Sequence, residues 1–156
     1  MFTNFENMAS SSSTRVHFFF DNVSLSLKNR GKLKRFIGSI FTREGQKVGR
    51  INYVFCNDRT LLEMNRHYLK HDFYTDILTF ILSCEGEEIV ADIFISIDRI
   101  RENAKVLKVT LKQELHRVLF HGALHLCGYN DKLAMERKSM RQKEDFYLSR
   151  YFRRFT

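Results

Sequence analysis

The sequence predicts a single α+β domain, with a small mixed sheet of about four strands packed against about five helices. Three observations predict it. β-rich runs and runs of helical period follow one another in the order β-α-β-α-β-β-α-α-α. The most continuously apolar segment, Val118 to Leu126, lies inside a helical pattern, so that helix belongs at the centre of the core. Finally, 156 residues with 44% hydrophobic and 28% charged side chains are enough for one core without disulfides or repeats.

Val16 to Phe20 is apolar and aromatic and is expected as a strand. Leu33, Phe36, Ile37, Ile40 and Phe41 recur at i, i+3, i+4, i+7 and i+8, a helix that Gly45 closes. Ile51 to Phe55 is a second strand, and Asn57 or Asp58 can cap the helix carrying Leu61, Met64 and Tyr68. Ile77 to Leu82 and Ile89 to Ile95 are β-rich runs joined across Glu85-Gly86-Glu87 as a hairpin. Ile97, Ile100, Ala104 and Leu107 share a helical face. Thr110 with Gln113 forms a capping box that starts the central helix, and Gly128 stops it. The last helix puts Leu133, Met140, Tyr147 and Tyr151 on one stripe.

Residues 1–14, Ser-rich from Met8 to Thr14, are expected to be a flexible leader rather than a signal, with the domain over 15–156. No apolar run approaches the ~20 residues of a membrane span. Cys56, Cys84 and Cys127 are odd in number and far apart, which argues against a disulfide framework and for a reducing, cytoplasmic setting. The net charge is +8, and 132–156 holds eight Lys/Arg against three acids. Such a basic face favours polyanions, nucleic acid before acidic membrane, although a merely solvated helix has the same composition.

The chemistry gathers in the central helix and the turn after it. His121 and His125 are four apart, so their imidazoles lie one above the other. Gly128 supplies the left-handed turn that brings the chain back, and Asp131 follows three residues later. Two histidines and a carboxylate with an open fourth position make a catalytic rather than a structural zinc site. Asp131 has a second reading, as the N-cap of the last helix. Two histidines in an apolar helix each need a partner, since burying an unpaired imidazole is costly. The spacing H-x-x-x-H-x-x-G-x-x-[H/D] is shared with metzincin-like proteases, but their general base, a Glu directly after the first His, is replaced here by Gly122.

The segment His121-Gly-x-Leu-His125-Leu-x-Gly128-Tyr129 resembles the signature H-G-x-L-H-L-x-G-Y-D-H of the YbeY endoribonuclease family. Upstream, Asn65-x-x-Tyr68, Thr75-Asp76-Ile77-Leu78-Thr79-Phe80 and Ala91-Asp92-Ile93-Phe94-Ile95-Ser96 are similar to its L-N-x-x-Y-R, T-D-V-L-S-F and G-D-I segments. The resemblance spans about Ile51 to Asp131. It implies a cytoplasmic, zinc-dependent, single-strand-preferring endoribonuclease acting in rRNA maturation, small-subunit 3′-end processing and ribosome quality control. One zinc ion per chain would sit on His121, His125 and Asp131. The partner would be RNA, rRNA within the small subunit, with ribosome-associated proteins and with neither membrane nor DNA expected.

Two positions depart from the family pattern: Asp131 stands where a third His is usual, and Leu69 where an Arg follows the Tyr. A carboxylate ligand acidifies a bound water less than a third imidazole would. Lys70 is next to Leu69 but points about 100° away on a helix, and Lys132 follows Asp131; these two are the substrate-binding candidates. For proton transfer the candidates are Asp76, at the start of a strand, and Glu114, about two turns before His121. Each has an ordinary alternative, a turn Asp and a first-turn acid. Cys127 reads as core filler, and His67, His71 and His116 as surface or supporting residues without a role. A zinc hydrolase of peptides and a non-catalytic ribosome assembly factor are the competing functions.

Overall fold

The computed structural model describes residues 15–154, so the leader expected over residues 1–14 lies outside the described residues. Nine elements follow in the expected order: β1 (Val16–Phe20), α1 (Arg30–Arg43), β2 (Val48–Cys56), α2 (Asp58–Leu69), β3 (Ile77–Ile81), β4 (Ile89–Ser96), α3 (Ile97–Leu107), α4 (Leu111–Leu126) and α5 (Ala134–Arg154). The sheet is mixed, in the order β1-β2-β4-β3. β1, β2 and β4 run parallel, and β3 pairs antiparallel with β4, as the hairpin pattern required.

Alternation along the strands assigns the layers. Ile51, Tyr53 and Phe55 of β2 pair in register with Ala91, Ile93 and Ile95 of β4, and all six are fully buried on one face. That face packs with α1 and α4, where Leu33, Ile37, Ile40, Leu119, Phe120 and Leu124 complete the core. Each such side chain stabilises the fold by about 1.5–3 kcal/mol. On the other face a smaller cluster of Cys56, Leu78, Leu61 and Met64 seats α2.

The caps explain where the helices begin. Asn57 Oδ1 accepts from the Thr60 N–H at 2.8 Å, so Asn57 rather than Asp58 caps α2. Thr110 and Gln113 exchange side-chain-to-backbone bonds of 3.1 and 3.0 Å, the capping box of α4. At the far end of α4, Tyr129 N–H bonds Leu124 O and Gly128 N–H bonds His125 O, while Gly128 takes φ 102°. This is a Schellman turn, and it reverses the chain just beyond the two histidines.

Two expectations fail at element ends. Leu107 is 48% exposed, because α3 ends there and the chain turns at Lys108 (φ 56°) before the residue reaches α4. Leu133 is 65% exposed and precedes α5, whose buried stripe is instead Met140, Glu144, Tyr147, Leu148 and Tyr151. Of the two expectations for His116, surface or supporting, the surface one does not hold: it is buried, its Nδ1–H donates to Lys112 O at 2.6 Å and its ring packs on Phe120, Tyr151 and Phe152.

Candidate functional site

α4 packs so closely on the sheet that a Cβ at Gly122 would stand 3.1 Å from Ile77 Cδ1 and 3.3 Å from Ile93 Cδ1. Gly122 therefore faces the sheet, while His121 is half-buried and His125 exposed. Their rings are nearly parallel, 15° apart, with centroids 6.1 Å from each other. The expected pairing of the two histidines on one helix face is thus present.

Each imidazole has one nitrogen committed. His125 Nδ1–H donates to the Tyr129 carbonyl at 2.8 Å, a bond that the Schellman turn makes possible and that leaves the Nε2 lone pair outward. Tyr129 is held in turn by its hydroxyl, which donates to Glu44 Oε2 at 2.9 Å. Glu44 also accepts from the Tyr147 hydroxyl at 2.6 Å and from Lys143 at 3.1 Å. Burial works against ionisation of Glu44, but these three donors outweigh it and hold the carboxyl below its ordinary range.

His121 sits among carboxylates. Its Nδ1 is 3.4 Å from Glu144 Oε2, and its Nε2 is 3.4 Å from Asp131 Oδ2. Glu144 is only 5% exposed, and Arg117 pairs with it at 3.3 Å and with Asp145 at 3.1 Å. Burial alone would depress His121, but Glu144, Asp131 and Asp76 together raise it above the usual imidazole value. Burial pushes the Asp76 carboxyl up, against the opposing pull of His121. Asn103 Nδ2 donates to Asp76 Oδ2 at 3.3 Å, and the Ser96 N–H donates to the Asp76 carbonyl at 3.0 Å, which fixes the start of β3 beside α3.

The structure thus brings His121, His125, Asp131 and Asp76 to one side of α4. Just before α5, Glu136 Oε2 accepts the Lys132 and Leu133 N–H bonds at 3.1 and 2.9 Å, while Asp131 Oδ2 lies 3.4 Å from His121 Nε2. Glu114 lies in the first turn of α4, as expected, but is only 3% exposed. Its Oε2 has no hydrogen-bond partner, and burial raises its carboxyl. Lys70 ends α2 with φ 58° and Lys132 lies on the exposed turn before α5; among the described contacts neither reaches the three candidate ligands. Leu69 is exposed. Cys127 packs partly buried against the core, its thiol pushed up to about 12 by burial.

Sequence reasoning missed Glu144 and Arg117. The signal for Glu144 was available: it occupies the buried stripe between Met140 and Tyr147, where an acid demands a partner.

His121, His125 and Asp131 have the donor types that a divalent ion takes. Among the described residues no group of three or more His, Cys, Asp or Glu side chains is placed to hold a metal ion. The donor chemistry nevertheless fits. Ligands on a tetrahedral ion with bonds of ~2.1 Å stand roughly 3.4 Å apart, and His121 Nε2 and Asp131 Oδ2 are separated by 3.4 Å. Both imidazoles also have Nδ1 engaged, by Glu144 and by the Tyr129 carbonyl, the outer hydrogen bond that ligating histidines usually make.

No helix among the described residues is long and apolar enough to cross a membrane. A family model described as Endoribonuclease YbeY matches residues 21–152. A protein of Cytophaga hutchinsonii named Endoribonuclease YbeY is 46% identical over 134 residues, covering 86% of this chain and 94% of that protein. One of the same name from Phocaeicola vulgatus is 52% identical over 101 residues, 65% of this chain and 72% of that protein. The solution structure of a Thermotoga maritima protein superposes with TM-score 0.59 at 26% identity, over 85% of this chain and 86% of that one. By the extent of the family match and by identity with its members, this chain belongs to the YbeY endoribonuclease family.

Proposed function

We propose that this chain is a zinc-dependent endoribonuclease that prefers single strands and carries one zinc ion on His121, His125 and Asp131. It acts in the cytoplasm in rRNA maturation, small-subunit 3′-end processing and ribosome quality control. The observation that carries the metal site is the 3.4 Å approach of Asp131 to the Nε2 of His121, beside a parallel His125 whose Nδ1 is already bonded. When bound, the ion supplies Lewis acidity towards a phosphate oxygen and acidifies water.

The chain's own residues do the rest. Glu144 and the Tyr129 carbonyl orient the two imidazoles through their Nδ1 atoms. Asp76 keeps Oδ2 on Asn103 and has Oδ1 left to take a proton from an attacking water. The basic surface of α5 attracts the phosphate backbone, which requires no sequence readout. A peptidase mechanism finds no base after the first histidine, since position 122 is pressed against Ile77 and Ile93.

The test offers the zinc-loaded protein single-stranded RNA, structured RNA and denatured casein, with His121→Ala as control. We expect single-stranded RNA to be cut fastest and casein not at all. His121→Ala should fold normally and lose at least about 100-fold in cleavage, more than loss of a merely supporting residue costs. Cleavage of casein alone, or undiminished RNA cleavage by His121→Ala, overturns the proposal.

A further inference from the structure

Beside the site, the chain leaving α2 exposes a run of aromatic rings. Phe73 and Tyr74 are 56% and 55% exposed, and His71 stacks on Phe73 at 5.1 Å. Neighbouring exposed aromatics can form an interaction surface, whereas a single one is ordinary. Tyr74 differs from its neighbours in being braced from behind. The Arg99 guanidinium lies 5.1 Å from its ring centroid. Arg99 is itself locked by Asp58, with an Nη2–Oδ2 distance of 2.9 Å and Nε bonds of 3.1 and 3.0 Å. Asp58 also accepts from Ser96 Oγ at 2.9 Å. A ring fixed this way keeps more than half its surface open yet loses little freedom on binding.

Its position relative to the site follows from α3. Residues 99 and 103 are four apart and lie one above the other on the helix. Arg99 touches Tyr74, and Asn103 touches Asp76, the carboxyl that lies in the field of His121. Tyr74 precedes Asp76 by two residues, and α3 supports both, through Arg99 and Asn103 respectively, which places the ring next to that carboxyl along the chain. A nuclease with little sequence preference needs contacts that any base can make, and every base has a π face.

We propose that Tyr74, backed by Arg99, is a stacking platform for one unpaired nucleobase next to the bond that is cut. This rests on the endoribonuclease reading above and adds a subsite to it. Tyr74 contributes to holding the strand, so its loss appears in KM rather than in kcat.

The zinc-loaded full chain is compared with Tyr74→Leu and Tyr74→Phe on a single-stranded oligoribonucleotide carrying one 2-aminopurine, whose fluorescence is quenched when the base stacks. Tyr74→Leu is expected to raise KM about tenfold, to leave kcat within about twofold and to lose the quenching. Tyr74→Phe, which keeps the π face, should retain KM and quenching, and melting temperature and zinc content should match in all three proteins. A Tyr74→Leu variant with unchanged KM and quenching overturns the platform, including the case in which the patch docks a protein instead. So does a Tyr74→Phe variant as defective as Tyr74→Leu. If the unaltered chain cuts no RNA, the endoribonuclease reading fails along with the platform; if it cuts RNA regardless of residue 74, only the platform fails.

Discussion

His116 and His121 stand five residues apart on one helix, and their surroundings shift their imidazoles in opposite directions. His116 is packed among Phe120, Tyr151 and Phe152; burial, eased only in part by its bond to Lys112 O, holds it below the ordinary imidazole value. His121 is less enclosed, and there Glu144, Asp131 and Asp76 more than offset burial and raise it. Burial prevails at the first histidine and neighbouring carboxylates at the second. Spacing along α4 does not distinguish them. What does is which element packs on each: the aromatic end of α5 on His116, and the acids of α5 and the post-Gly128 turn on His121.

The comparison can be broken by deleting the ring that packs. His116→Ala should lower stability by about 2–4 kcal/mol, the range for removing a large buried side chain, while zinc content and KM for RNA stay near those of the unaltered chain. Thermal unfolding with metal analysis checks this; loss of zinc alongside stability would mean that the two ends of α4 are one unit.

A smaller effect sharpens the contrast in the metal-free chain. His116 is lowered from 6.5, so its neutral form is favoured on folding, and stability is full above pH 6.5 and lost below it. His121 is raised from 6.5, so its contribution is full below that pH and lost as pH rises through the folded value. Between pH 8 and 5, roughly the range over which imidazoles titrate, His116→Phe should gain on the unaltered chain as pH falls. His121→Gln should lose ground over the same interval. Denaturant midpoints for the three chains measure both slopes, and equal slopes for the two variants would refute the opposed environments.

Much of the fold was legible because its signals are local. The α1 stripe of Leu33, Phe36, Ile37, Ile40 and Phe41 is buried as its spacing predicts, and the Thr110–Gln113 box and Gly128 turn bound α4 where expected. The paired histidines were legible for the same reason, being one turn apart. What was not legible depends on tertiary packing. Glu144 meets His121 across 23 residues of sequence, which only the docking of α5 on α4 settles. Leu107 and Leu133 continue apolar patterns past the last turn that has a neighbour, so periodicity overshoots there. Asp131 has two readings in the sequence, and its 3.4 Å approach to His121 depends on how the turn after Gly128 folds back, which spacing alone does not fix. His116 stayed open between a surface and a supporting residue because an imidazole in the first half of a helix gives no hint of an aromatic stripe arriving from 151–152.

The central claim is that Asp131 completes a metal site begun by the two histidines, and metal content tests it most directly. Elemental analysis of the purified chain, Asp131→Ala and His121→Ala, each at matched folding, should find about one zinc ion per unaltered chain and well under half of that in either variant. Full zinc in Asp131→Ala would contradict the account and leave Asp131 as no more than an ionic neighbour of His121.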